Sequence, residues 1–283
     1  MNFEDQRWDT VIDAKQNPLS LNLKQIVEYR DLIYLFVKRD IATTYKQTIL
    51  GPLWYLFQPV FTTILFMIVF RHVASLGTDD IPPVLFYLAG TILWYFFSNL
   101  LISQARVFYA NKDIFGKVYF PRLTVPIAII FGELIKFLIQ FVMFVIVFVF
   151  FLFKGYTAYL SVKLLLLPLI LLWLILLATG LGLMISSVTT KYRDLAKAME
   201  FFLSLFLYAT PIVYPLSEVP EGFKLFFILN PITAIIESFR KVCFGTGDVS
   251  ATMILYSVLM TAFFVFIGVI LFNKNEKKFI DVI

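Results

Sequence analysis

The sequence predicts an all-α integral membrane protein. It has six transmembrane helices, an N-terminal amphipathic helix at the membrane interface, and a re-entrant external helical hairpin between the fifth and sixth spans. Three observations predict it. First, the 283 residues are 60% hydrophobic, 18% aromatic and only 15% charged, with a mean hydropathy of +0.86; a soluble domain is about half apolar and about a quarter charged. Second, apolar runs approaching the ~20 residues that a span requires alternate with basic loops. Third, the stretch YATPIVYPLSEVPEGFKLFFILNP at 208–231 sets Pro211, Pro215, Pro220 and Pro231 into an apolar segment. Proline removes a helix donor and clashes with the preceding turn.

Residues 1–52 read as a cytoplasmic N-terminal segment. Its start, MNFEDQRWDTVID, is polar and acidic and does not have the layout of a cleavable signal peptide. Within NLKQIVEYRDLIYLFVKRDIATTYKQT, the residues Ile26, Tyr29, Ile33, Phe36 and Val37 share one helical face, and Lys24, Glu28, Arg30, Asp31, Lys38 and Asp40 lie largely elsewhere. Asn22 followed by Gln25 resembles a capping box. Such a helix is too charged to span and is expected in the cytoplasmic interface. Gly51 and Pro52 then turn the chain into the first span.

The spans are expected at 53–70, 84–103, 137–153, 164–187, 201–212 (extended back through 196) and 252–272, so that 53–272 forms the transmembrane domain and 273–283 a cytoplasmic tail. Starting the third span at 123 would make it ~46 Å long at helical rise, so 123–136 is read as partly interfacial. With the N-terminus inside, 17 of the 24 Lys and Arg fall in the cytoplasmic pieces 1–52, 106–122, 187–197 and 273–283. That bias places both termini in the cytoplasm. It also accounts for the net charge of +5 without a nucleic-acid partner, because the cations alternate with spans and form no single patch.

The segment at about 213–245 holds two apolar stretches, FKLFFIL and PITAIIESF, each too short to cross. With Asn230 as a cap and Pro231 at the first helical position, the pair reads as a hairpin that turns back, ended by Gly245. Irregular backbone at membrane depth requires burial in protein or a wet cavity. Pro215, Pro220, Asn230, Pro231, Glu237 and Arg240 are the residues expected to build this external gate.

Catalytic chemistry finds no support. One Cys (Cys243) and one His (His72) leave no metal set and no Cys–His pair. No phosphate-binding Gly-rich loop with Lys-Ser/Thr is present, since Gly116-Lys117 lacks the upstream glycine. No ATP site and no cofactor are therefore expected in this chain. Glu133 with Lys136, and Glu237 with Arg240 and Lys241, read first as local charge neutralisation.

Polar residues within spans recur at helical spacing: Tyr55, Gln58 and Thr62 in the first, Thr91, Tyr95, Ser98, Asn99, Ser103 and Arg106 in the second, and Lys197, Glu200, Ser204 and Tyr208 in the fifth. Ala178, Gly182 and Ser186 instead form a small-residue packing face in the fourth. The polar stripes stand for interhelical hydrogen bonds or a hydrated path. Trp94 joins Tyr95 near mid-span, and rings with scattered hydroxyls and few charges suit a neutral or weakly charged glycan. On this reading Tyr55, Gln58, Thr62, Thr91, Trp94, Tyr95, Ser98, Asn99, Ser204 and Tyr208 line a channel.

RDIATTYKQTILGPLWYLFQP, NKDIFGKVYFPR, KYRDL, ATPIVYPLSEVP and NPITAIIESFR together resemble the membrane subunit of polysaccharide-exporting ABC transporters of the O-antigen and teichoic-acid type, over most of 25–245. That resemblance implies a homodimer of six-span subunits in the bacterial inner membrane, served by two copies of a cytoplasmic ABC ATPase that binds the ATP and Mg. It also implies a polyprenyl-pyrophosphate-linked glycan as substrate. The short cytoplasmic segment around Asn111, Lys112, Asp113, Ile114 and Phe115 is the expected ATPase-docking surface. Arg39, Lys46, Leu50 and Gly51 are expected at the cytoplasmic mouth for the lipid-pyrophosphate, where a pyrophosphate needs positive partners. A permease for another amphipathic substrate and a membrane-embedded glycosyl- or acyltransferase are the alternatives; the second conflicts with the His and carboxylate inventory.

Overall fold

A computed structural model describes residues 23–46, 48–115, 120–156, 162–189, 192 and 194–280. Asn22, with the expected capping box, and the acidic N-terminus lie outside the described residues, as do Lys191 and Arg193 of KYRDL. Among the described residues the regular structure is helical throughout: α1 Leu23–Glu28, α2 Arg30–Tyr45, α3 Trp54–Phe66, α4 Pro83–Ala105, α5 Val107–Ala110, α6 Lys112–Phe115, α7 Thr124–Phe153, α8 Leu167–Thr189, α9 Asp194–Phe206, α10 Glu221–Ile228, α11 Pro231–Phe244 and α12 Ala251–Ile280.

Among the described residues, five helical segments are long and apolar enough to cross a membrane: Gly51–Val73, Pro83–Ala105, Thr124–Phe153, Val162–Thr189 and Ala251–Asn275. Two boundaries differ from expectation. The third span is one unbroken 30-residue helix, so 123–136 is mostly continuous with it; Pro126 falls in the first turn, where its missing donor is harmless. The expected fifth span is not full length. Helix α9 has 13 residues, or about 20 Å at helical rise against a hydrocarbon core of about 30 Å. Past Phe206 the chain runs in turns, closed by Tyr208 N–H to Leu205 C=O and Thr210 N–H to Leu207 C=O. Pro211 is the reason, because it disfavours helical geometry at Thr210 and offers no donor of its own. The first span ends in a π-helical turn over Met67–Val73.

Helix α4 is the centre of the bundle, with 83% of its span buried inside the chain. It packs against α3, α7, α8 and α9. It meets α8 closely at Gly182, where an added Cβ would stand 2.4 Å from the Gln104 Cβ and 2.8 Å from the Leu101 carbonyl oxygen. The Ala178–Gly182–Ser186 face thus seats α8 on α4. A second small-residue contact, with no counterpart among the sequence expectations, joins α8 to α12: a Cβ on Gly180 would lie 2.6 Å from Val265 N, and one on Gly268 would lie 2.5 Å from Gly180 O.

At the other end of the molecule, α2 does not simply float on a membrane. Ile26 and Phe36 are buried, and Phe36, Tyr29, Ile33 and Val37 join a cluster with Phe108, Phe115, Phe120, Val125 and Phe272. The predicted apolar face of the helix is therefore occupied by the protein itself. Val27, Tyr34 and Leu35 remain exposed and form the outer apolar strip.

Candidate transport path and hairpin

From Leu85 to Arg106, helix α4 and its cap leave only Tyr95, Asn99, Ile102, Ser103 and Arg106 unburied. These positions recur at spacings of three and four, so they form one strip, and four of the five are polar. Each polar member meets polar groups of neighbouring helices. Tyr95 Oη shares a 2.7 Å hydrogen bond with Thr62 Oγ1 of α3. Ser103 Oγ donates to Glu133 Oε1 of α7 at 3.2 Å, and Lys136 Nζ donates to the same oxygen at 2.8 Å. Arg106 forms an ion pair with Glu200 of α9. Asn99 opens onto a polar recess of about 50 Å³ shared with Gln58, Gln140 and Lys136 and edged by Trp54 and Tyr55. Gln140 Nε2 donates to Tyr55 C=O at 3.0 Å, and Lys136 Nζ lies 5.5 Å from the Tyr55 ring centroid.

Not every residue of the expected lining lies on this strip. Thr91 is fully buried and Trp94 is 2% exposed. Thr91 Oγ1 meets Thr63 Oγ1 of α3 at 3.3 Å, and Trp94 packs on Phe97. Ser98 is also buried and donates to its own helix at Tyr95 C=O. These three therefore pack the core instead of lining an open face: the strip is about one residue wide, and Thr91, Trp94 and Ser98 are rotated off it. Tyr55, Gln58, Thr62, Tyr95 and Asn99 do border it. Ser204 and Tyr208 are exposed on and just after α9, with Tyr208 against Phe66 and Phe70 of the first span. The Arg106–Glu200 pair ties α9 to α4 and is out of reach of the sequence, which shows each residue on its own stripe but not that the stripes meet.

At the cluster that α2 forms with Phe108 and Phe120, two predicted groups converge. Arg39 pairs with Asp40 at 2.7 Å and its Nη2 donates to Asn111 Oδ1 at 3.3 Å. Asn111 is buried and donates back to Val107 C=O. Phe115 is buried, stacked on Phe120 beneath the Arg122 guanidinium. Of the expected docking residues, Lys112 and Asp113 are exposed, Ile114 is half-buried, and Asn111 and Phe115 point inward. Lys46 is exposed and Leu50 half-buried. Gly51 adopts φ +52°, a left-handed backbone that glycine accepts without Cβ strain, which is why the turn into the first span needs it.

Helices α10 and α11 meet at 96°. Asn230 Oδ1 accepts Ile232 N–H while its amide donates to Thr210 Oγ1 at 3.1 Å, so one side chain caps α11 and ties it to the turn after α9. Pro231 begins α11, and Gly245 ends it at φ +79°. Glu237 and Arg240 are 1% and 2% exposed and bond to each other at 2.8 Å. Arg240 also donates to Ile212 C=O at 3.3 Å and sits 3.8 Å from the Phe86 ring centroid. Glu237 Oε2 accepts Asp248 N–H at 3.0 Å. The pair thus anchors α11 inside the protein and faces no open path. Pro215 and Pro220 flank a short turn, Leu216–Glu218, that docks on the loop after the first span: Glu218 Oε1 accepts Gly77 N–H at 2.6 Å and Ser217 donates to Asp79 at 2.8 Å. On the far end Lys224 bridges Glu221 and Asp248, each at 3.5 Å, and those carboxylates hold the Lys224 ammonium pKa above its ordinary value.

Residues 31–244 match the ABC-2 type transporter family. The chain belongs to that family. Among its relatives is an O-antigen export system permease protein, RfbA, of Klebsiella pneumoniae, 27% identical over 270 residues that cover 94% of this chain and all of the relative. RfbA of Myxococcus xanthus is 23% identical, covering 78% of this chain and 83% of its own length. The polysialic acid transport protein KpsM of Escherichia coli is 24% identical, covering 84% and 91%. As an ABC-2 type transporter chain this is a multi-pass membrane protein. The family match begins within α2 and ends at Phe244, the last residue of α11, so the surface helix and the hairpin both belong to the family unit.

Proposed function

We propose that this chain is the membrane subunit of an ABC exporter that moves a polyprenyl-pyrophosphate-linked polysaccharide of O-antigen type across the bacterial inner membrane. It is a transport subunit and not an enzyme. The observation that carries the reading is the strip Tyr95–Asn99–Ser103–Arg106 on an otherwise buried helix. Polar residues within spans face the bundle interior or a water-filled cavity, and the exposed Asn99 at the middle of the strip opens onto a polar recess with Gln58, Lys136 and Gln140, which supports a wet path along it. Two copies of the chain, related by a two-fold axis, would bring two strips together around one lumen. Hydroxyls, amides and rings with few net charges then suit sugar rings, which stack on aromatics and accept and donate hydrogen bonds.

The remaining parts take roles around that lumen. A cytoplasmic ABC ATPase, in two copies, docks on the unit formed by α2 and the 106–122 segment through exposed Lys112 and Asp113 and the edge at Ile114, with Asn111 and Phe115 fixing the shape of that unit. Arg39, Lys46, Leu50 and Gly51 receive the lipid-pyrophosphate. The hairpin from 213 to 245, set by Pro215, Pro220, Asn230 and Pro231 and anchored by Glu237 and Arg240, closes the outer end at rest. Both termini lie in the cytoplasm. The test is reconstitution of the chain with its ATPase partner in vesicles containing lipid-linked glycan: ATP-dependent transfer of glycan across the bilayer is expected. A complex that hydrolyses ATP with equal rates with and without that lipid, and moves none of it, contradicts the assignment.

A further inference from the structure

A second feature is built from α8, α11 and α12 and takes no part in the polar strip. Between these helices lies a groove of about 890 Å³. Its walls are aliphatic and aromatic, with Leu169, Trp173, Val258 and Phe266 among them. The Trp173 indole N–H is already satisfied by Thr261 Oγ1 at 3.1 Å, so the middle of the groove presents carbon to its contents. Polarity collects at the hairpin end, where Lys163, Ser238 and Lys241 line the groove. Both lysines are exposed there.

Ser238 distinguishes this end from a plain greasy seam. It is 8% exposed, and its buried Oγ has no hydrogen-bond partner among the described residues. A helical serine usually satisfies its hydroxyl on the preceding turn, and a buried hydroxyl left unsatisfied costs about 1–3 kcal/mol. Lys241 uses one N–H on Val249 C=O at 3.2 Å, and an ammonium has three donors. One end of an apolar groove therefore combines two ammonium groups with an orphan hydroxyl. An acceptor that carries negative charge suits all three.

We propose that the groove is a site for an anionic phospholipid, with acyl chains along α8 and α12 and the phosphate against Lys163, Lys241 and Ser238. Any lipid fills apolar space equally well, since hydrocarbon replaces hydrocarbon. Selectivity therefore rests on the headgroup, and a lysine near an anionic lipid surface favours it by about fivefold. Because the site joins α11 to the fourth and sixth spans, its occupant braces the hairpin from the lipid side.

Trp173 reports on the groove directly. The full chain carrying W8F, W54F and W94F is reconstituted in phosphatidylcholine bilayers with increasing fractions of chain-brominated phosphatidylglycerol or chain-brominated phosphatidylcholine, and quenching of Trp173 is recorded. Phosphatidylglycerol is expected to quench at a several-fold lower mole fraction, S238A to weaken that preference, and K163Q/K241Q to abolish it. Equal quenching by the two lipids, or a preference unchanged in K163Q/K241Q, overturns the proposal. If W94F disturbs folding, the unmodified full chain and its K163Q/K241Q variant are extracted and their bound lipid weighed by mass spectrometry. Enrichment of phosphatidylglycerol over its share in the membrane, lost in the variant, supports the site; identical lipid content in both overturns it.

Discussion

Arg240→Met removes a guanidinium and keeps most of the side chain's bulk, which isolates the electrostatic part of the hairpin's anchor. Arg240 and Glu237 are 2% and 1% exposed, so the carboxylate left behind has almost no access to water. Breaking one side of a buried pair costs about 3–5 kcal/mol. Glu237 retains the Asp248 N–H at 3.0 Å, which holds the loss toward the lower end. The cation–π contact with Phe86, 3.8 Å from the ring centroid, adds up to about 2 kcal/mol in a desolvated setting, partly offset by the methionine sulfur against the same ring. The net is about 4 kcal/mol, which for a chain of this size lowers the melting temperature by roughly 10 °C. Thermal unfolding followed by size exclusion of the detergent-purified chain reads this out. E237Q/R240M restores neutrality while Gln still accepts the Asp248 N–H, so it should recover at least half of the loss. An R240M melting temperature within about 2 °C of the parent, or a double variant less stable than the single, would refute the anchoring role.

Further outcomes follow from the same geometry. Gly180→Leu drives a side chain into the α12 backbone, since a Cβ at this position already stands 2.6 Å from Val265 N; it should destabilise the α8–α12 contact by about 1–3 kcal/mol or more, measured as a fall in melting temperature. K112E/D113K should uncouple ATP turnover from export while leaving the melting temperature unchanged, because both side chains are exposed; F115A, by contrast, should lower stability. R39E/K46E should impair export more than membrane insertion, and normal export with normal topology would place the lipid-pyrophosphate elsewhere. Deleting 217–227 should leave insertion intact and make membranes permeable to small solutes; a variant that assembles and stays tight would remove the hairpin from the gate role.

The all-helical class, the basic-loop pattern and the Asn230–Pro231 helix start are readable in the sequence because each depends on local chemistry: composition, charge placement and capping. The same holds for Gly245 as a helix end and Gly51 as a turn, since glycine accepts the left-handed backbone that each adopts. What is not readable depends on partners distant in sequence. Apolar periodicity in α2 marks Ile26 and Phe36 as an inward face, but does not say whether lipid or Phe108 and Phe120 will cover it. A stripe holding Thr91 and Ser98 looks the same as one holding Tyr95 and Asn99 until the neighbouring helices bury the first pair and leave the second partly open. Extending the fifth span to 212 weighs apolar content above the helix-ending effect of Thr210-Pro211, and the proline prevails. The groove at Ser238 leaves no trace in the sequence, since an orphan hydroxyl exists only once its surroundings fail to bond it.

Thiol accessibility along α4 decides whether its open strip faces water. Cys243 is the chain's single cysteine and is buried, so C243A gives a clean background for one cysteine at a time. In the assembled transporter in membranes, N99C and S103C should react with a membrane-impermeant methanethiosulfonate, and their modification should block export. T91C and L93C, facing the core, should stay inert. Reaction at none of these positions, or N99C and S103C as unreactive as L93C, would contradict a hydrated path along this helix.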